Sequence, residues 1–225
     1  MLLLTIQKEL MKKKNNDSGI IITVAGIVLV LILAVIFFAF KGEETVDTSL
    51  LVRDNSYKST SDMKKVVVAE FADYQCPACG TVAPSIKKIA DENKDNVTYV
   101  YRNFPLPQHA NAPMAAESAE AAGAQGKFWE MHELLYVKQS EWSESSDAAG
   151  IFANYAKDLG LNVDQFKSDV AAQKAKAKID RDTADGNTLG VNATPTFYIN
   201  GVKYLGNIDY DSLKSAIDSA VSKAK

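Results

Sequence analysis

The two cysteines of this chain, Cys76 and Cys79, lie in the run AEFADYQCPACG, with a β-branched apolar segment before them and a helical pattern after. That order constrains the fold more than the C-x-x-C spacing does. A strand that feeds directly into a helix puts the first thiol at the helix N-terminus. There the unpaired N–H groups and the macrodipole favour a thiolate. The bland alternatives are an inert structural disulfide or half of a metal site. With no further cysteine and only His109 and His132 as histidines, nothing completes a zinc site. Copper binding would need a His or Met beside the thiols, and His109 is the candidate. A redox-active dithiol is the reading the pattern favours, with no metal.

Composition narrows the partners. Net charge is −3, and beyond residue 40 there are 21 basic against 26 acidic residues. That mild acidity argues against nucleic acid, which wants a basic footprint. Gly19 to Phe40 is an uncharged run of 22 residues, about 33 Å as a helix and long enough to span a bilayer core. Lys12, Lys13 and Lys14 precede it. The positive-inside rule then predicts residues 1–18 in the cytoplasm and the rest outside. A cleaved signal peptide is the rival, but the run is long for one and FFAFKG lacks an A-x-A site. A single-pass anchor over 19–40 is therefore expected. MKKKNNDSG from Met11 forms a compact charged start, so translation is expected to begin there.

Residues 41–61 are polar apart from Leu50–Val52 and read as a linker, with a short edge strand at most. Lys65–Ala72 is an apolar run suited to a central strand. The helix after Cys76 carries Val82, Ile86 and Ile89 on one face, with Pro84 as a kink. Val97–Phe104 forms a second strand. From about 111 to 190 the chain is helical in character, with Gly123, Gly126, Gly150 and Gly160 as expected breaks. Asn200-Gly201 between apolar runs signals a hairpin. Asp209 then caps a closing helix that turns Tyr210, Leu213, Ile217 and Val221 inward. Strand, helix, strand, helical block, hairpin, helix is an α/β order of thioredoxin type, with the helical insertion after the second core strand.

EFADYQCPAC, FPLPQHANAPMAAESAEAAGAQGKFWEMHELLY and VNATPTFYINGV together resemble the DsbA-like thiol–disulfide oxidoreductases, in particular their membrane-anchored bacterial branch. The likeness covers residues 62–225. It implies that Cys76 is the exposed nucleophile and Cys79 the buried partner that resolves the mixed disulfide. Pro195 corresponds to the proline that is cis in thioredoxin-like proteins, and Thr194 before it to the residue that pairs with extended substrate backbone. Glu70 corresponds to the buried acid that assists proton transfer at the inner thiol. As a residue on its own it could equally be an edge side chain reaching water; if buried without a cation, its pKa should be raised.

The resemblance implies an oxidase that introduces disulfides into exported proteins carrying free thiols. No cofactor is expected beyond the cysteine pair, which is recycled by a DsbB-like or VKOR-like membrane partner. The domain is expected outside the bacterial cell membrane and monomeric. Pro77 and Ala78 between the cysteines tune the thiols. The strongest oxidases of the family have His where this chain has Ala78. The helix terminus and local amides must then lower the Cys76 pKa, to a value above the family's lowest. Thr194 is similar to the isomerase members, which makes isomerase or reductase the second reading. A non-enzymatic peptide- or copper-binding module is the third. Phe128, Trp129, Tyr136, Trp142 and His132 read as packing.

Overall fold

A computed structural model describes residues 45–224. The expected anchor at 19–40 and the segments at 1–18 and 41–44 lie outside them. Among the described residues, no helix is long and apolar enough to cross a membrane.

Two elements set the frame. The central strand β1 (Val66–Ala72) runs parallel to β2 (Val97–Asn103), with α1 (Pro77–Glu92) as the crossover between them. All but one of the fourteen residues in these two strands are buried, which suits continuous apolar runs in a sheet covered on both faces. β3 (Thr196–Ile199) then pairs antiparallel with β1, and β4 (Val202–Lys203) with β3, giving the order β2-β1-β3-β4. Asn200 and Gly201 both have positive φ (49° and 86°), the backbone a tight two-residue hairpin requires.

Between β2 and β3 lie six helices. They are α2 (Ala112–Ala124), α3 (Phe128–Val137), α4 (Gln139–Trp142), α5 (Ala148–Asp158), α6 (Val163–Ala171) and α7 (Lys176–Thr188). The closing helix α8 (Tyr210–Lys223) is capped by Asp209, whose Oδ1 accepts from Ser212 N at 2.9 Å. This is the α/β thioredoxin fold with a helical insertion.

The sheet separates two cores. Side chains of alternate register on β1 face opposite ways. Val66, Val68 and Ala72 join Cys79, Val82, Ile86, Met131, Leu135, Leu213 and Ile217 on the larger side. Ala69 and Phe71 join Leu51, Val100, Phe104 and Tyr198 on the smaller. Trp142, Phe128 and Tyr136 are buried, as expected of packing residues, and so is His132's neighbour Met131.

Two expectations about local structure change. Gly126 and Gly160 do end helices, in left-handed backbone at φ 79° and 69°. Gly123 and Gly150 instead lie inside helices. Gly123 is there because a Cβ would come within 2.0 Å of Tyr57 Oη, so the ring of Tyr57 packs directly on the backbone of α2. Residues 45–61, read as a linker, pack against the sheet instead. Leu51 is buried, Thr45 bridges Val202 on β4, and Lys58 bridges Val100 on β2. Polar composition hid this, because the bridges to β4 and β2 are made by backbone groups and few side chains, Leu51 and Tyr57 among them, carry the packing.

Candidate active site

α1 begins where the first cysteine stands. Cys76 is its N-cap, in extended backbone (φ −68°, ψ 123°), and Pro77 occupies the first helical turn, where its missing N–H leaves nothing unpaired. Pro77 and Ala78 are exposed, while Cys76 is 7% exposed and Cys79, one turn on, is fully buried. No disulfide joins Cys76 and Cys79 in this structure.

Two further strands complete the site. The Thr194–Pro195 peptide bond, just before β3, is cis. It brings Thr194 O within 3.4 Å of Cys76 Sγ, which donates to it. The Thr194 hydroxyl is buried without a hydrogen-bond partner. Behind Cys79, Glu70 projects from β1 into the larger core at 3% exposure. β1 is an interior strand, so Glu70 is a buried acid and not an edge residue. Its Oε2 accepts from the hydroxyl of Tyr99 on β2.

These neighbours split the two thiols. The Cys79 thiol donating to Cys76 does most to lower the Cys76 pKa. Against the opposing effect of burial, Thr194 and the backbone amides of Cys79 and Ala78 add to this and bring it to about 5. Burial pushes Cys79 far upward, reinforced by its bond to Cys76 and by the charge of Glu70. Burial also raises Glu70 to about 7, against the Tyr99 hydrogen bond that holds it down. The helix-terminal amides expected to replace the missing histidine at Ala78 do contribute. The larger share comes from the Cys79 thiol, a pairing that spacing alone does not display.

The insertion holds the loop before Cys76 by hydrogen bonds from several points. Gln139 Nε2 donates to Tyr74 O at 2.7 Å and Cys76 O at 2.9 Å. Gln75 donates to Ser143 O at 2.7 Å and accepts from Asn111 N at 2.8 Å. Asp73, fully enclosed, accepts from Gln75 N and Leu106 N and sits 2.7 Å from His109 Nδ1. His109 thus anchors the loop through Asp73. His132 is half-buried, with Nδ1 3.0 Å from Tyr74 Oη, and desolvation lowers its pKa to about 3, which leaves it neutral. Among the described residues, no cluster of three His, Cys, Asp or Glu side chains could hold a metal.

Sequence reasoning placed Cys76, Cys79, Pro77, Ala78, Glu70, Thr194 and Pro195, and the structure brings all seven to one end of the sheet around the start of α1. It missed Tyr99, Gln139, Gln75 and Asn111. Their roles depend on contacts 29 to 68 residues away in sequence. The one local clue was a polar Gln set directly before Cys76.

Residues 62–219 match the family model described as Thioredoxin. The chain belongs to the thioredoxin family. Its fold is that of the DsbA-like thiol–disulfide oxidoreductases. The oxidised BdbD of Bacillus subtilis superposes with a TM-score of 0.68 at 23% identity, covering 80% of this chain and 97% of that one. A thioredoxin-like oxidoreductase from Silicibacter pomeroyi superposes at 0.65 with 28% identity, over 80% and 98%. In sequence, the chain is 38% identical over 156 residues to the Na(+)/H(+) antiporter NhaA 1 of Salinispora arenicola. That match takes in 69% of this chain and 23% of the relative. This chain thus spans about a quarter of the length of such relatives.

Proposed function

We propose that the domain catalyses thiol–disulfide exchange as an oxidase, forming disulfides in exported proteins. The observation that carries this is the asymmetric placement of the dithiol: Cys76 caps α1 within 3.4 Å of Thr194 O while Cys79 is fully buried one turn on, which lowers the first thiol to about 5 and pushes the second far up. A stabilised Cys76 thiolate favours the reduced form, so the disulfide form is a strong electron acceptor.

The cycle starts from the Cys76–Cys79 disulfide. A substrate thiolate attacks Cys76 Sγ; a substrate–Cys76 bond forms, the Cys76–Cys79 bond breaks, and Cys79 leaves and takes up a proton. A second substrate thiolate attacks the substrate sulfur of the mixed disulfide. The substrate disulfide forms and Cys76 departs as the thiolate that its surroundings stabilise. The substrate loses two electrons and the dithiol gains them. Thr194 and Pro195 line the edge where extended substrate backbone docks. A quinone-linked membrane protein of DsbB-like or VKOR-like type reoxidises the pair, and the anchor expected at 19–40 holds the domain outside the cell membrane. The domain acts as a monomer, with no cofactor besides its cysteines.

The test is the reduction potential of the full-length chain, equilibrated in glutathione buffers. A value near about −120 to −180 mV is expected, and one near about −270 mV would make the protein a reductase. Cys76→Ala separates catalysis from mere binding: an inert peptide-binding module would keep its function.

A further inference from the structure

Cys79 poses a problem that Cys76 does not. It is fully buried, yet it must gain a proton each time it leaves a disulfide and lose one each time it attacks. Glu70 can exchange that proton once, but Glu70 is buried as well and must re-equilibrate with water. The pair therefore needs a route out.

The Tyr99 hydroxyl donates to Glu70 Oε2. The same side chain lines a cleft of about 600 Å³ between α1 and α3, walled by Ala83, Pro84 and Lys87 on one side and Trp129, Glu133 and Val137 on the other. Cys76, Pro77, Thr194 and Pro195 do not line it, so it is separate from the face that substrates meet. Building on the oxidoreductase reading above, we propose that Tyr99 relays protons between this cleft and Glu70, making the α1–α3 cleft the proton port of the buried thiol.

The transfers balance. When Cys79 leaves as a thiolate, the Glu70 carboxyl gives it a proton. Tyr99 passes its hydroxyl proton to the Glu70 carboxylate and takes one from water in the cleft, ending as it began. When Cys79 attacks, each transfer reverses. No electron moves along this path. Cys76 and Cys79 from α1, Tyr99 and Glu70's register partner Tyr101 from β2, Tyr136 from α3 and Tyr74 from the loop after β1 are the titratable groups around Glu70, and β3 sets Phe197 opposite it. Burial pushes the four phenols well up, so Tyr99 relays as a neutral hydroxyl. Lys87, Lys88, Asp91, Glu92, Glu130 and Glu133 stand at the walls of the cleft, and His132 within it is neutral.

The experiment follows the reduced full-length protein, in detergent, as it reacts with glutathione disulfide, with acid quench and mass analysis across pH. Attack by Cys76 forms the glutathione mixed disulfide, and attack by Cys79 closes it. Tyr99→Phe should slow closure about tenfold near neutral pH. It should also move the pH midpoint of closure upward, because the Glu70 carboxylate loses a donor. The rate of mixed-disulfide formation should not change. Ala83→Leu, which narrows the cleft without touching Glu70, should slow closure and leave the midpoint in place. Unchanged closure rate and midpoint in Tyr99→Phe would overturn the relay while leaving the oxidoreductase reading intact. If Tyr99→Phe does not fold, an unchanged closure rate in Ala83→Leu overturns it. A wild-type protein that forms no mixed disulfide at all removes both readings.

Discussion

The two faces of the sheet each bury acid side chains, and they treat them in opposite ways. On the larger face Glu70 has phenols and two thiols for neighbours and no cation, so burial raises it to about 7. On the smaller face Arg102 is fully buried and bonds Asp182 at 2.9 Å and Asp185 at 2.5 Å, while Arg53 adds a second bond to Asp185. Burial pushes both aspartates up. The bonds from Arg53 and Arg102 outweigh it at Asp185 and hold that carboxyl below its ordinary value, but Asp182 stays raised. The lesson is that one kind of group serves two ends. Paired with a guanidinium, a buried carboxylate joins elements together; here it fastens α7 and the segment around Arg53 to β2. Left without one beside a dithiol, it is raised by burial to about 7, where a carboxyl can both give and take a proton near neutral pH.

That contrast can be broken first at Arg102. Arg102→Met strands Asp182 in the interior, and loss of about 3–5 kcal/mol is expected in denaturant unfolding. Exchange per folded molecule should persist, because the dithiol lies on the other face. Glu70→Gln should do the reverse. A carboxyl raised in the folded state is most at ease below its unfolded value, and its favourable protonation is lost as pH rises through about 7. Replacing it should therefore add about 1–3 kcal/mol at pH 8 and nothing near pH 4, while exchange slows. Unfolding midpoints at the two pH values, set beside exchange rates, check both signs.

Cys76 itself gives a third effect. Its pKa is depressed in the folded reduced protein, so its contribution is full above the unfolded thiol value and is lost as pH falls through about 5. The reduced form should gain in melting temperature over the oxidised form between pH 5 and pH 8. The smallest effect belongs to Thr194→Val, which removes the unpartnered hydroxyl beside Cys76. The Cys76 titration, followed by thiolate absorbance, should move up by less than about one unit.

Legibility in the sequence followed the range of the interactions. The start of α1 was readable because strand, cysteine, proline and helix are adjacent in the chain. Asn200-Gly201 was readable because positive φ at two successive residues selects those types. Glu70 could be placed by the family resemblance, and its raised pKa followed from an apolar strand that offers no cation. Arg102 could not. In VTYVYRNF it reads as a polar residue on a strand, and its partners Asp182 and Asp185 come from a helix some eighty residues later. Tyr99 looked like one more β-forming aromatic. Gln139 looked like an ordinary residue of a helical block, although Gly80 must lack a side chain to let it reach the loop: a Cβ there would meet Gln139 Oε1 at 2.7 Å.

The stretch from Thr45 to Ser59 visits both outer strands of the sheet. Val46 N bonds Gly201 O in the turn before β4, and at the far side Ser59 N bonds Tyr99 O of β2 and Tyr57 O accepts from Tyr101 N of β2. These residues lie before position 62, where the likeness to the thioredoxin family begins. A recombinant fragment trimmed to the family's limits would keep every group that touches sulfur and lose the selvedge of the fabric. Its bare margins would be templates for joining other molecules. Solubility, more than chemistry, is what such a cut removes.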